Sequence, residues 1–350
     1  MANEKEYFKR FIKLIGSGEL TSKGMTREES SEALELILEQ KATPTQIGAF
    51  MIAHRIRRPD PKELAGMIDA YKKLGPKIKS QKKQARPICF GMPFDGRTKF
   101  APIYPLTSLI LLSEEQPVVL QGGKRMPTKY GVTTMELFES LGLNLKGLSN
   151  SLLQKGFNRN GFALIHLPDH FPLANSLIQY RDEIGKRPPI ASMELIWTAH
   201  EGEHLLVSGF VHPPTEERAQ KTLEIIGERD FIAIKGLEGG VDIPCSRPAI
   251  ASRVVQGKFK RLILRSNDYN HSIQDLKLLN IDAWREQALE ALDNKGDLLT
   301  SLKWNAAIYL WFAGKVNDID EGLARADECI SSGKAKKTLG SLIKWRNEIS

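Results

Sequence analysis

The chain has 350 residues, of which 50 are Lys or Arg and 42 are Asp or Glu, giving a formal net charge of +8. A hydrophobic content of 41% suits a globular protein with one large and one smaller domain, and the cation surplus favours phosphate-bearing partners without naming one. No apolar run approaches the roughly 18 residues that cross a bilayer, and the amphipathic opening MANEKEYFKRFIKLIG is no secretion signal; a soluble, cytoplasmic chain with no membrane partner is expected.

Residues 1 to 75 read as a run of short helices forming a small N-terminal helical domain, with 76–350 as a large α/β domain. Thr26 with Glu29 makes a capping box before SSEALELILEQ, Thr43 precedes Pro44 at a first helical turn, and Pro61 opens the next helix. Apolar residues in TQIGAFMIAHRI and KELAGMIDAYKKLG recur every three or four positions, as helices packed on a common core require. Then comes a basic stretch holding Lys72, Lys73, Lys77, Lys79, Lys82, Lys83 and Arg86. It is either a solvated connection between domains or a surface that holds a polyanion.

Beyond it, the apolar runs PICFG, QPVVLQGG, GFALIHL, EHLLVSGF and DFIAIKG alternate with helix-like stretches such as TTMELFESLG and EERAQKTLEIIGE. Such alternation predicts a central, mostly parallel sheet covered on both faces. From about 275 the chain returns to helix, NAAIYLWFAGK being its most apolar piece. Cys89, Cys245 and Cys329 show no CxxC or Cys/His ligand spacing, which argues against a structural zinc and a disulfide framework. His166 and His170 flank Pro168 and are read as core or loop histidines.

The helical pattern through PKELAGMIDAY, followed in order by FGMPFDGRTKF, LQGGKRMPT, TTMELFESLGL, IGKRPP, IAIKGLEGGVDI and NAAIYLWFAGK, resembles the anthranilate phosphoribosyltransferases of glycosyltransferase family 3. The resemblance implies a helical domain, to which part of about 165–190 is joined, set against an α/β domain with a ligand cleft between them. It also implies a homodimer through the helical domain. In the family the cleft takes phosphoribosyl diphosphate and magnesium, and an aromatic amine displaces the diphosphate.

Residue by residue, that site is altered. The family's Gly-Thr-Gly-Gly-Asp loop corresponds to Gly91-Met92-Pro93-Phe94-Asp95-Gly96. Gly91, Asp95 and Gly96 are kept, but Pro93 has no N–H to donate and Phe94 fills space. Ala101, Ile103 and Tyr104 stand where the family has Asn and a Ser-Thr pair, and Leu120-Gln121-Gly122-Gly123 where it has Lys-His-Gly-Asn; Lys124 and Arg125 follow. Of the family's Asp-Glu magnesium pair only Asp242 remains, beside Ile243, with Glu238 nearby in sequence; Arg187 matches the arginine that faces the aromatic carboxylate.

Losing so many ligand-holding groups would remove several kcal/mol of electrostatic stabilisation. One branch of the family resembles this chain in its degraded site and basic surface, and its members bind DNA and RNA. The expectation is therefore a non-catalytic protein, with no cofactor, that binds nucleic acid with low sequence specificity through the Lys72–Arg86 run, through Lys258, Lys260, Arg261 and Arg265, and through Lys334, Lys336 and Lys337. The alternative is an active phosphoribosyl- or other glycosyltransferase using phosphoribosyl diphosphate and Mg with anthranilate or another aromatic acceptor, in a cleft holding Gly91, Asp95, Gly96, Lys124, Arg187 and Asp242.

Overall fold

A computed structural model describes residues 2–18, 21–82 and 84–349. Lys83 lies outside the described residues. The first four helices are α1 (Ala2–Gly16), α2 (Arg27–Leu38), α3 (Pro44–Arg57) and α4 (Pro61–Leu74). Capping boxes open α2 at Thr26/Glu29, α3 at Thr43/Gln46 and α4 at Asp60/Glu63, so orphan N–H groups at each start are satisfied locally. The third box does more than cap. The Glu63 carboxylate also accepts the Met25 N–H at 3.0 Å and pairs with Arg57, joining the ends of three helices. Gly66 lets α2 lie close against α4, since a side chain there would meet the Arg27 carbonyl oxygen at 2.1 Å.

Strand β1 (Ile78–Lys79) leaves this unit and pairs in parallel with β5 (His200–Glu201). The main sheet is built from β2 (Ile88–Gly91), β3 (Val118–Gly122), β4 (Phe162–His166), β6 (Leu205–Gly209), β7 (Phe231–Ile234), β8 (Ala249–Val255) and β9 (Lys258–Leu264), in the order β4-β3-β2-β6-β7-β8-β9. The five predicted apolar runs are its parallel strands. The last two strands form an antiparallel hairpin at one edge.

Residue alternation divides the interior into two cores. Ile88 and Phe90 of β2 face one side, with Val118, Leu120, Val207 and Ile232, where α5 (Tyr104–Ser113) and the helices Leu299–Ala313 and Lys334–Glu348 cover them. Cys89, Val119, Leu206 and Phe231 face the other side and share a core with the helical unit. Being buried on both faces explains why these strands read as unbroken apolar runs. Short helices within 167–193 cross to the helical unit: Tyr71 sets its ring edge-on to Phe171 and Trp197, and Tyr180 donates to Gln40 at 2.7 Å. No helix among the described residues is long and apolar enough to cross a membrane.

Candidate functional site

In a parallel sheet the carboxyl ends of the strands carry the ligand-facing loops. The loop Gly91–Gly96 leaves the carboxyl end of β2 beside a cavity of about 240 Å³ lined by Pro93, Asp95, Lys129, Arg187, Glu194 and Glu238, among others. Its glycines are fixed by close approach. A Cβ at Gly91 would lie 1.8 Å from the Leu195 carbonyl oxygen, and Gly96 has φ +79° with Gly131 packed against it. Met92 and Phe94 are buried in opposite cores, so the loop is filled with its own side chains.

Every cation at this cleft faces a carboxylate of the same chain. Arg187 pairs with Asp95, and Lys129 lies 3.9 Å from Asp95 and 3.5 Å from Glu238. Arg97 sits 3.4 Å from Glu238 and 3.1 Å from Asp242, and Arg181 pairs with Glu194 in the interior. The Lys129 ammonium is pulled below its ordinary range by burial, against the opposing pull of Asp95 and Glu238.

Glu238 occupies a ready-made anion seat. With φ +54° it turns its carboxylate onto the backbone N–H groups of Lys99 (2.8 Å), Phe100 (2.9 Å) and Thr98 (3.3 Å). Successive N–H groups aimed at one point form the kind of concavity that elsewhere holds phosphate. Burial opposes the charge on Glu238, but Arg97, these N–H groups and Lys129 outweigh it and hold the carboxyl below its usual range.

Asp242 is completely buried. One oxygen accepts the Tyr104 N–H at 2.7 Å at the start of α5 and the other faces Arg97, and burial raises its carboxyl. Asp242 leaves one oxygen without a hydrogen bond but buries it against Arg97, and Glu238 is saturated by N–H groups, so the family's magnesium position offers a hydrated divalent cation no exposed carboxylate oxygen. Ala101, Ile103 and Tyr104 are buried, and Gln121 donates inward to the Trp197 carbonyl.

Lys124 stands apart from this cleft. It lines a separate cavity with Lys146, His166 and Asp169, because the chain turns at the buried Met126 while Arg125 pairs outward with Glu136. Sequence reasoning missed the cations that do face the cleft. Arg97 follows directly on the retained Gly96, a signal available by position; Lys129 and Arg181 gave none. His166 and His170 are tied to each other and to Asp169.

The basic segments differ in how much charge they leave free. Lys73 pairs with Glu35, Lys77 and Lys79 with Glu201, Arg86 with Asp230, and Arg261 with Glu216. In the tail, Lys334 reaches Glu114 and Lys336 reaches Asp293. Among the described residues, Lys72, Lys82, Lys258 and Lys260 form no ion pair. The linker and the hairpin adjoin at Asp230, which pairs with Arg86 and accepts the Gln256 N–H at 2.9 Å. Between them opens a groove of about 1270 Å³ at the amino ends of the parallel strands, opposite the cleft, with Lys72, Arg86, Arg229, His200 and His204 on its walls.

Comparison with known proteins agrees with this architecture. A glycosyl transferase family's helical bundle domain matches residues 9–75, and that family's α/β domain matches 103–336. An uncharacterized protein of Aquifex aeolicus is 26% identical over 87% of this chain and 93% of its own length. Anthranilate phosphoribosyltransferase of Petrotoga mobilis is 22% identical over 98% of both chains. Among solved structures, anthranilate phosphoribosyltransferase of Thermus thermophilus superposes with a TM-score of 0.78 at 19% identity, covering 97% of this chain and 98% of its own. The Saccharomyces cerevisiae enzyme, in complex with PRPP and Mg, gives 0.79 at 13% identity, covering 98% and 99%. Matched across both of its domains, the chain belongs to glycosyltransferase family 3, the family of the anthranilate phosphoribosyltransferases.

Proposed function

We propose that this protein does not transfer phosphoribosyl groups and instead binds nucleic acid, with little sequence preference, through the lysines of the interdomain linker and of the β8–β9 hairpin. The observation that carries the reading is the distribution of unpaired charge. Cations at the family cleft are cancelled by Asp95, Glu238, Asp242 and Glu194, whereas Lys82, Lys258 and Lys260 are exposed and unpaired. Phe259, 48% exposed between two of those lysines, adds a stacking surface of the kind single strands use. Lysines on an edge strand also block strand-to-strand association, so binding has to be measured. A homodimer through the helical domain belongs to the same proposal, and the exposed Ile56 on α3 is an apolar side chain that it would cover.

The test is fluorescence anisotropy of single- and double-stranded oligonucleotides across a salt series, with the triple variant Lys82→Glu, Lys258→Glu, Lys260→Glu alongside. Micromolar or tighter binding is expected, and the variant should lower the salt slope by about one per lost phosphate contact. No binding at low salt refutes the reading. Calorimetry with phosphoribosyl diphosphate and Mg should give no heat at millimolar ligand; saturable heat restores the transferase alternative.

A further inference from the structure

A second cluster lies on the far side of the sheet from the family cleft. Cys89 on β2, His200 on β5 and His204 just before β6 bring one ligand atom each to within 4.8 Å of one another. Cys89 and His200 are buried, and the His204 side chain is 8% exposed.

The hydrogen bonds around the two rings are asymmetric in an informative way. His204 turns Nδ1 to the Gly202 carbonyl at 2.8 Å, and His200 holds Nε2 2.9 Å from the Ser80 hydroxyl. The opposite nitrogens, His204 Nε2 and His200 Nδ1, are buried with no hydrogen-bond partner. Leaving a buried nitrogen unsatisfied costs about 1–3 kcal/mol; His200 Nδ1 is left so, and His204 Nε2 has only a misaligned carboxylate beside it. One ring nitrogen anchored while the other stays open is how histidines are oriented around a metal.

Glu228 stands beside the cluster. Its Oε2 lies 3.3 Å from His204 Nε2, yet the contact is not aligned as a hydrogen bond.

We propose that Cys89, His200 and His204 supply three ligands of a tetrahedral site for a zinc ion that fastens the interdomain connection to the main sheet, with water from the groove in the fourth position. One thiolate and two imidazoles suit zinc, whereas magnesium and calcium prefer all-oxygen sets. His200 pairs in register with Ile78, just after α4 ends at Leu74, while Cys89 belongs to the central strand. The ion therefore bridges the exit of the helical unit and the core of the large domain. Binding expels one proton, that of the Cys89 thiol, and adds one positive charge to the groove.

A reactive thiol is the competing account, and burial argues against it. It pushes the Cys89 thiol up to about 12, which leaves almost no thiolate in the absence of a metal. Burial and the neighbouring His204 bring His200 down to about 4, so its imidazole is neutral and able to ligate. Sequence spacing concealed the site because the cysteine lies in a strand far upstream of the histidines; only the four-residue step from His200 to His204 hinted at it.

The experiment uses the full chain, stripped with a chelator and titrated with cobalt(II). One equivalent per chain should bind, with the intense visible bands of tetrahedral cobalt and a thiolate-to-cobalt charge-transfer band, and zinc should displace it. Cys89→Ser should abolish the charge-transfer band. His204→Ala, at a loop position, should weaken cobalt binding at least tenfold, by analogy with losses on disturbing even outer-shell groups, and should remove the rise in Tm that zinc gives the parent. Absence of the charge-transfer band in the parent overturns the proposal, as does its persistence in Cys89→Ser. If Cys89→Ser does not fold, unchanged cobalt affinity in His204→Ala decides against the site.

Discussion

Replacing Glu238 by Gln keeps the shape of the side chain and removes its charge from the cleft. The amide oxygen can still accept from Lys99 and Phe100 and face Arg97, but the amide nitrogen, standing in the place of Oε2, then faces Lys129 and the Thr98 N–H, donors against donors. Removing one member of a buried ionic network costs about 3–5 kcal/mol. Lys129 is partly exposed, so solvent softens part of the loss and the lower end, about 3 kcal/mol, applies. Urea unfolding should show a lower midpoint with an unchanged slope. Glu238→Ala, by contrast, empties the seat, and that variant should respond to an added anion: pyrophosphate at about 100 times its Kd stabilises it by about 2.7 kcal/mol and the parent not at all. A loss under about 1 kcal/mol in Glu238→Gln, or an equal response of Glu238→Ala and the parent to pyrophosphate, refutes the idea that the Glu238 carboxylate fills an anion site.

Two further tests concern the frame. Burial disfavours the Glu63 carboxylate, but His54, Arg57 and the Met25 N–H prevail and bring it to about 2. Its folded value is depressed, so its contribution, about 3 kcal/mol, is present above the ordinary carboxylate range and lost as pH falls toward 2. The stability gap between parent and Glu63→Gln, from urea midpoints, should therefore narrow from about pH 6 to pH 3; a constant gap contradicts the assignment. Gly91→Ala would set a methyl group 1.8 Å from the Leu195 carbonyl oxygen and should cost about 3 kcal/mol or more. A near-neutral result would mean that β2 and the 195 region are not locked together.

The fold was legible because its signals are local. Capping boxes at Thr26 and Thr43 mark helix starts, and doubly buried strands announce themselves as continuous apolar runs. In the Gly91–Gly96 loop the missing donor was equally readable, since Pro93 lacks an N–H wherever it sits. The charge pairing was not. Arg97 meets Glu238 and Asp242 across some 140 residues, and that distance in sequence hides the pairing. Lys124 misled for the complementary reason: adjacency to a family motif does not fix which way the chain turns at Met126. The basic runs showed where lysines are, but not that Glu201, Asp230 and Glu216 already hold several of them.

The two faces on which an anion could settle differ in what must first be undone. Entering the cleft, a phosphate group has to dislodge Glu238 from three N–H groups and two cations, or Asp95 from Arg187. Charge-assisted hydrogen bonds contribute about 1.5–3 kcal/mol each. Breaking two of them before any ligand contact forms costs about 3–6 kcal/mol, which weakens affinity by two to four orders of magnitude. At the hairpin edge nothing has to be displaced. Lys258 and Lys260 are hydrated and unpaired, and meeting a phosphate costs them only the ordering of flexible side chains, about 0.5–1.5 kcal/mol each, offset by counterion release. On the proposed reading, a polyanion therefore gains more on the outer surface than a single sugar diphosphate gains in the cleft, because internal carboxylates have to be displaced only in the cleft.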